Sequence, residues 1–211
     1  SILKIKLGKG VADDLERIEK IRERVGSKLI IRIDANQGWN FNEAIEFLTK
    51  AGRYNIEFCE QPIPKALDDL LPDLRLKSPI KIMADESCFD RHDARKLIWN
   101  NACDYINIKF SKAGGITEAL EIYKTASRAD VSCMLGGMLE SRIALSAKLH
   151  FAYACPQIKF FDLDTCLLGH LKDPAVGGVC FKGYCLEIKD APGIGVDADE
   201  DFLRECESWT I

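Results

Sequence analysis

The sequence of 211 residues has few features of proteins that bind membranes or nucleic acids. Its uninterrupted apolar runs are far shorter than the roughly 20 residues that cross a bilayer. The 29 basic residues are outnumbered by 33 acidic ones, which gives a net charge of −4 and excludes a broad basic surface for a polyanion. We therefore expect a single soluble globular domain.

Cysteine and histidine patterns typical of zinc sites or disulfide frameworks are also absent. The nine cysteines, an odd number, are scattered through apolar segments without a C-x-x-C pair, and the three histidines lie far apart. Such cysteines indicate reduced, buried thiols. We expect a protein of a reducing compartment, the cytoplasm.

Short β-branched segments alternate with helical patterns along the chain. A βα unit of roughly 25 residues, repeated without interruption, predicts a parallel sheet covered by helices. The predicted strands are Ile2–Leu7, Leu29–Asp34, Ile56–Glu60, Lys81–Asp85, Tyr105–Lys109, Ser132–Leu135 and Lys159–Asp162.

Two parallel-sheet architectures compete, the open doubly wound sheet and the closed barrel. Strands of an open sheet are buried on both faces and are nearly all apolar. Here Ile106 and Ile108 alternate with Asn107 and Lys109, and the other strands alternate similarly. A barrel lumen accepts polar side chains near its C-terminal mouth, so we predict an α/β fold with a (β/α)8 TIM-type barrel.

The seven predicted strands are one fewer than this barrel needs. We expect the barrel domain, strands 2 to 8, over residues 1–190 and a C-terminal tail over 191–211 that packs on the barrel or on a cap. The first strand would then precede Ser1. A hairpin-like run at Gly178–Ile188 leaves an alternative open, in which a strand of the tail closes the barrel.

Six polar residues lie at the C-terminal ends of different strands, with the same parity relative to the apolar positions. Each alone has an ordinary explanation, because an acid there often caps the next helix and a lysine is often solvated. Together they are expected to face one cavity. They are Lys6, Asp34, Glu60, Asp85, Lys109 and Asp162.

The three acids Asp34, Glu60 and Asp85 come from consecutive strands, so we expect them to be neighbours. Three close carboxylates repel one another unless a cation lies between them. An all-oxygen ligand set without cysteine or histidine suits magnesium. The sequence therefore predicts a Mg²⁺ site at the barrel mouth.

Lys6 and Lys109 lie on opposite flanks of the acids and are predicted to reach a substrate from opposite faces. Lys4 shares a face with Lys6, and its charge is expected to lower the pKa of Lys6 towards that of a useful base. The alternative is that Lys4 pairs with a barrel carboxylate.

The ordered set of motifs resembles the enolase superfamily, and within it the muconate-lactonising-enzyme subgroup. The resemblance implies Mg²⁺ bound by the three acids and acid/base catalysis by Lys6 and Lys109, with Lys4 as a further catalytic residue that tunes Lys6. It also implies an N-terminal α+β capping domain of the same polypeptide and a homo-oligomer. The motifs are Leu3–Gly8, Asp34–Asn36, Glu60–Pro62, Ala84–Ser87, Asn107–Lys109 and Gly114–Gly115.

Within the subgroup, the motif Asp162-x-Asp164 resembles that of dipeptide epimerases of the L-Ala-D/L-Glu type, where two carboxylates hold the substrate ammonium. This implies an isomerase that epimerises a dipeptide by Mg²⁺-dependent, two-base 1,1-proton transfer through an enediolate. Glu140, Asn36 and Glu86 are further candidates for substrate binding. The alternative for the aspartates is capping of the loop.

Other functions remain open at this point. They include N-acylamino acid racemase, o-succinylbenzoate synthase and muconate cycloisomerase reactions, a catalytically inactive binding barrel, and a sugar-phosphate barrel that uses Gly114–Gly115 and Gly136–Gly137. The complete set of acids and lysines argues against an inactive barrel. Three acids at the mouth would repel a phosphate.

Overall fold

A parallel sheet of seven strands forms the centre of the molecule in the computed structural model, which describes residues 2–164, 172–183 and 185–209. Each strand pairs in parallel with the next one in the chain. All seven predicted strands are present, with each end within one residue of its predicted position. The strands are β1 (Ile2–Lys6), β2 (Ile30–Asp34), β3 (Ile56–Glu60), β4 (Lys81–Ala84), β5 (Tyr105–Ile108), β6 (Ser132–Leu135) and β7 (Ile158–Phe161).

Helices connect these strands and cover the outer face of the sheet. Two of them begin at side-chain caps: Asn40 forms a capping box with Glu43, and Asp90 accepts from the amides of His92 and Asp93. The helices are α1 (Val11–Val25), α2 (Phe41–Ala51), α3 (Leu71–Lys77), α4 (Arg91–Trp99), α5 (Phe110–Ala113), α6 (Ile116–Arg128) and α7 (Arg142–Ala154), with 3₁₀ turns at Gly52–Tyr54 and Lys65–Leu70.

The two faces of the strands pack differently, as expected of a barrel. Outward residues such as Ile31 and Ile33 join the main apolar core under the helices. Inward residues fill the lumen below the mouth, where the Arg32 guanidinium lies 5.2 and 5.0 Å from the ring centres of Phe58 and Phe160. The ring centres of Phe58 on β3 and Phe160 on β7 are 5.2 Å apart, so the sheet is curved and brings these two strands to opposite walls of one lumen.

The C-terminal part forms two small antiparallel sheets and a short helix. The predicted hairpin is present as β9 (Cys180–Lys182) and β10 (Cys185–Glu187), but it pairs only within itself. The alternative in which a tail strand closes the barrel is therefore wrong for the described residues. Flanking strands β8 (Ala175–Gly177) and β11 (Val196–Ala198) pair across residue 190, and α8 (Glu200–Glu205) follows. The domain division at 190 stays a prediction.

In the described part of the chain, no helix has the length and hydropathy to cross a membrane.

The turn after β1 is held by a buried carboxylate. Asp14 Oδ2 accepts from the backbone amides of residues 8–10 at 2.9, 3.0 and 3.2 Å and from Trp39 Nε1 at 3.0 Å. Gly8 has a φ of +90°, and a Cβ there would lie 2.2 Å from the carbonyl oxygen of Ala35. This packing fixes the loops after β1 and β2 against each other at the barrel mouth.

Replacing Asp14 should destabilise the fold more than replacing its exposed neighbour. We expect Asp14→Ala to lower the free energy of unfolding by about 2–4 kcal/mol, because buried donors lose a charged acceptor. The control is Asp13→Ala on the same turn of α1, with an expected change within about 0.5 kcal/mol. Urea denaturation of the full-length protein measures both, and equal stability of the two variants would contradict the prediction.

Candidate active site

The ends of the strands bring the predicted polar residues together at one mouth of the barrel. Lys4 and Lys6 lie on β1, and Asp34 and Glu60 are the last residues of β2 and β3. Asp85, Lys109 and Asp162 each follow directly after β4, β5 and β7. The side chains of the three predicted metal ligands are fully buried, whereas Lys6 is 61% exposed and Lys109 only 10%.

Each of the three acids directs one oxygen towards a lysine in the lumen. Asp34 Oδ2 is 2.5 Å from Lys6 Nζ and 3.4 Å from Lys4 Nζ. Glu60 Oε2 is 2.7 Å from Lys4 Nζ, and Asp85 Oδ2 is 2.5 Å from Lys109 Nζ. The lysines at positions 4, 6 and 109 thus act as counter-ions for the three carboxylates.

The second oxygen of each acid contacts a group of the surrounding scaffold. These contacts orient the carboxylates, so that the other oxygen faces the lumen. The three contacts join Asp34 Oδ1 to the Asn36 amide at 2.9 Å, Glu60 Oε1 to Asn107 Nδ2 at 2.7 Å and Asp85 Oδ1 to Lys112 Nζ at 2.6 Å.

The acids suit a magnesium ion in donor chemistry, although they do not yet enclose one. Among the described residues, no three histidine, cysteine, aspartate or glutamate side chains are arranged to hold a metal. Ammonium groups fill the space between the carboxylates. Glu60 Oε2 is buried and close to Lys4, but it accepts no hydrogen bond from the described residues. A lone pair of Glu60 Oε2 is therefore available to coordinate a hard cation such as Mg²⁺, which prefers oxygen ligands.

Burial and neighbouring charges shift the pKa values of two of the acids in opposite directions. Burial and the neighbouring Asp34 carboxylate raise the pKa of Glu60 to about 8, against the opposing effect of Lys4. Burial also raises the pKa of Asp85, but the ammonium groups of Lys112 and Lys109 outweigh it and lower the pKa to about 2. The nearby ammonium groups therefore outweigh the effect of burial at Asp85 but not at Glu60.

Lys4 pairs with several carboxylates, as the alternative interpretation of this residue expects. Its ammonium lies 2.6 Å from Asp162 Oδ2 in addition to its contacts with Asp34 and Glu60. Burial lowers the pKa of Lys4, but Glu60, Asp162 and Asp34 together raise it well above its usual value. The tuning of Lys6 by Lys4 stays a prediction. Burial likewise lowers the pKa of Lys109, and Asp85 reverses this to a net rise.

The predicted substrate-binding residues lie around the mouth in different surroundings. Asn36 Nδ2 donates to Glu86 Oε1 at 3.4 Å. Asp162 contacts Lys4, whereas the exposed Asp164 lines a largely apolar cavity of about 520 Å³ between α7 and the C-terminal hairpin. The structure thus separates the surroundings of the two aspartates.

Glu140 forms an ion pair with the fully buried Lys148 of α7. Lys148 Nζ also donates to the Gly136 carbonyl at 2.7 Å. Burial lowers the pKa of Lys148, and Glu140 opposes this shift. The pair therefore ties the loop after β6 to the helix that follows it.

Asn107, Lys112 and Lys148 are site residues that the sequence patterns did not identify. Asn107 lies two residues before Lys109 and therefore faces the lumen as well, so the strand pattern contained a signal for it that was not used. Lys112 lies three residues after Lys109, one helical turn further along the chain. Lys148 has no comparable signal, because it is a lysine within the apolar pattern of α7.

Known proteins resemble the chain along most of its length. The D-Ala-D/L-Ala epimerase of Cytophaga hutchinsonii is 42% identical over 211 residues, which are 100% of this chain and 57% of the relative. The N-succinyl-L-Arg/Lys racemase of Bacillus cereus is 36% identical over 203 residues, which are 96% of this chain and 54% of the relative. The chain thus spans little more than half the length of these curated relatives.

A solved structure shows the same architecture. The crystal structure of the dipeptide epimerase from Cytophaga hutchinsonii, complexed with Mg and the dipeptide D-Ala-L-Val, matches with a TM-score of 0.94 and 42% identity. The match covers 98% of this chain and 56% of that chain. Together with the seven parallel strands in chain order, it confirms the predicted TIM-type barrel fold.

The family model described as enolase C-terminal domain-like matches residues 1–202. This range includes all seven barrel strands and each of the candidate site residues. The resemblance drawn from the order of the motifs is confirmed. The chain belongs to the enolase C-terminal domain-like family.

Proposed function

We propose that the full-length protein is an isomerase that epimerises a dipeptide by magnesium-dependent 1,1-proton transfer. The observation that carries this proposal is the arrangement of three buried carboxylates, each with one oxygen directed to the lumen, between lysines on opposite flanks. The names of the relatives, an epimerase and a racemase, support proton transfer at a carbon next to a carbonyl group.

Asp34, Glu60 and Asp85 would hold Mg²⁺ through the oxygens that now face the lysines. When bound, the cation supplies positive charge that stabilises the negative charge developing on the substrate carboxylate as its α-proton leaves. The buried Glu60 Oε2 supports this assignment, because it accepts no hydrogen bond from the described residues and can still bind a cation.

Lys6 and Lys109 would exchange protons with the two faces of the α-carbon. One lysine, as a neutral amine, removes the proton, and the other, as an ammonium, returns a proton to the opposite face, which inverts the centre. Lys109 is nearly buried, while Lys6 is open to solvent at the mouth. Lys6 therefore needs a cover that excludes water during turnover, and a capping domain of the same polypeptide would supply it.

Asp162 and Asp164 would recognise the substrate ammonium, each in a different way. Asp162 already binds the ammonium of Lys4, so a substrate amine would share this carboxylate. Asp164 is exposed to solvent, so its carboxylate is accessible to a substrate amine. A free dipeptide offers both an amine and a carboxylate, and thus fits the acidic and the metal-binding ends of the site.

A second candidate is the racemisation of an N-acylated amino acid. The N-succinyl-L-Arg/Lys racemase of Bacillus cereus is 36% identical, which favours this reaction. In our scheme, this racemisation would use the same metal and lysines, but its substrate has no free ammonium group. The two candidate reactions therefore differ in whether Asp164 binds the substrate.

Removing one metal ligand should stop turnover. Asp34→Asn, Glu60→Gln and Asp85→Asn should each lower kcat by roughly 100-fold or more, because the developing charge loses its stabilising cation. Steady-state epimerisation assays with EDTA and with added Mg²⁺ measure this. Asp73→Asn, an exposed acid of α3, should keep normal activity. Full activity in EDTA would contradict the magnesium assignment.

The two lysines should each serve one face of the substrate. Lys6→Ala and Lys109→Ala should both lose epimerisation, yet each should still exchange the α-proton of one epimer with solvent deuterium. NMR in D₂O on each pure epimer measures the exchange, with Lys50→Ala on α2 as a control that keeps activity. The two-base scheme is wrong if both variants treat the two epimers alike.

Asp164 should distinguish dipeptides from N-acylated substrates. An ion pair at an exposed carboxylate contributes up to about 1 kcal/mol, so Asp164→Asn should lower kcat/KM for a free dipeptide by about fivefold. The N-acetylated dipeptide should lose little. Asp162→Asn should reduce both, because Asp162 also holds Lys4. A wild-type preference for the N-acetylated form would assign the protein to the racemase reaction instead.

A further inference from the structure

Lys112 has an unusually complete set of oxygen partners beside the candidate metal site. Its side chain projects from the first turn of α5 and is 8% exposed. The Nζ atom donates to the backbone carbonyls of Asp85, Cys88 and Asn107, the last two at 3.1 Å. It also lies 2.6 Å from Asp85 Oδ1.

These contacts fix the position of the ammonium group. An ammonium has three N–H donors, and here four oxygens surround it, three carbonyls and Asp85 Oδ1. The contact with Asp85 Oδ1 at 2.6 Å is an ion pair between opposite charges. Lys112 places a fixed positive charge against one oxygen of Asp85.

The same three carbonyls connect two neighbouring strand ends. Asp85 and Cys88 belong to the loop after β4, and Asn107 belongs to β5. Lys112 thus ties this loop to β5 just where Asp85 enters the lumen. Lys109 behaves differently, because its ammonium donates to a side-chain oxygen, Asp85 Oδ2. One lysine is anchored to the backbone, and the other is anchored to a side chain that can exchange its partner.

We propose that Lys112 is a positioning residue for the metal site, which holds Asp85 Oδ1 so that Oδ2 is presented to a divalent cation. This inference rests on the proposed function, in which Asp85 is a magnesium ligand. Lys112 then strengthens cation binding even though its own charge repels the cation.

The charge of Lys112 and its positioning role predict opposite changes in Mg²⁺ affinity when the residue is replaced, so the two effects can be distinguished. By Coulomb's law alone, removing a positive charge near the site strengthens the binding of a divalent cation. If Lys112 mainly orients Asp85, its removal weakens binding, since losing a group that orients a metal ligand typically costs about 10- to 100-fold in affinity. The direction of the change in affinity decides between the two effects.

The experiment is isothermal titration calorimetry with MgCl₂ on the full-length wild-type protein, Lys112→Met and the control Lys124→Met, an exposed lysine of α6. We expect the Kd for Mg²⁺ to rise about 10- to 100-fold in Lys112→Met. It should stay within about twofold in Lys124→Met, which loses the same charge far from the site. An unchanged or lower Kd in Lys112→Met overturns the proposal.

Thermal unfolding without metal separates positioning from a merely structural role. A lower Tm with an unchanged Kd of the folded protein means that Lys112 only supports the fold, and overturns the proposal. If Lys112→Met does not fold, Lys112→Gln keeps two N–H donors for the carbonyls, and its Kd should rise as well.

The wild-type titration separates the two levels of the argument. If the wild-type protein binds no Mg²⁺, the magnesium site of the proposed function fails, and the role of Lys112 fails with it. If the wild type binds Mg²⁺ and Lys112→Met binds it equally well, only the role of Lys112 fails.

Discussion

The burial of three carboxylates at the barrel mouth is the constraint on which the rest of the site depends. Asp34, Glu60 and Asp85 are removed from water, and each would be unstable as an anion without nearby positive charge or donors. The fold meets this need with lysines from β1 and from the segment after β5. The lysines proposed to transfer protons thus also stabilise the buried carboxylates as anions.

Lysines of two kinds share this task. Lys112 is bound to backbone carbonyls, which a ligand does not displace, whereas Lys6 and Lys109 contact only the lumen-facing oxygens of Asp34 and Asp85 in their ion pairs. Lys112 fixes the position of the Asp85 carboxylate, whereas Lys6 and Lys109 can exchange their carboxylate partners for other groups. This difference would let one small region combine the proposed metal ligands, held in fixed positions, with the lysines proposed to transfer protons.

Parity along the strands was sufficient to predict the barrel and the composition of its mouth. The inward positions at the ends of β2 to β5 were readable because apolar residues alternate with them, and the strand boundaries followed within one residue. The bulge between β2 and β3, which brings Glu57 to Arg32, was not readable in this way. Parity could not predict which ammonium meets which carboxylate, since lysine side chains reach over several ångströms. Lys4 therefore contacts Glu60 and Asp162 in a way that the strand pattern does not encode.

Residues outside the strands were harder to predict for a different reason. Lys112 and Lys148 lie on helices, where the apolar period shows the buried face but not the distance to the barrel mouth. Strands β8 and β11 have three residues each, too few for a period to be visible. Their pairing depends on long-range contacts, such as the hydrogen bond between the amide of Gly178 and the carbonyl of Gly195.

The position of Lys4 makes the two ends of the site thermodynamically dependent on each other. Its ammonium joins Glu60, at the end proposed for the cation, to Asp162, at the end proposed for the substrate amine. A cationic ligand at Asp162 would compete with that ammonium for the carboxylate and so change the contact between Lys4 and Glu60. The affinity for a cation at Glu60 must change in turn, and linkage requires the effect to be equal in both directions. Through Lys4, occupancy of either proposed site would change the affinity of the other.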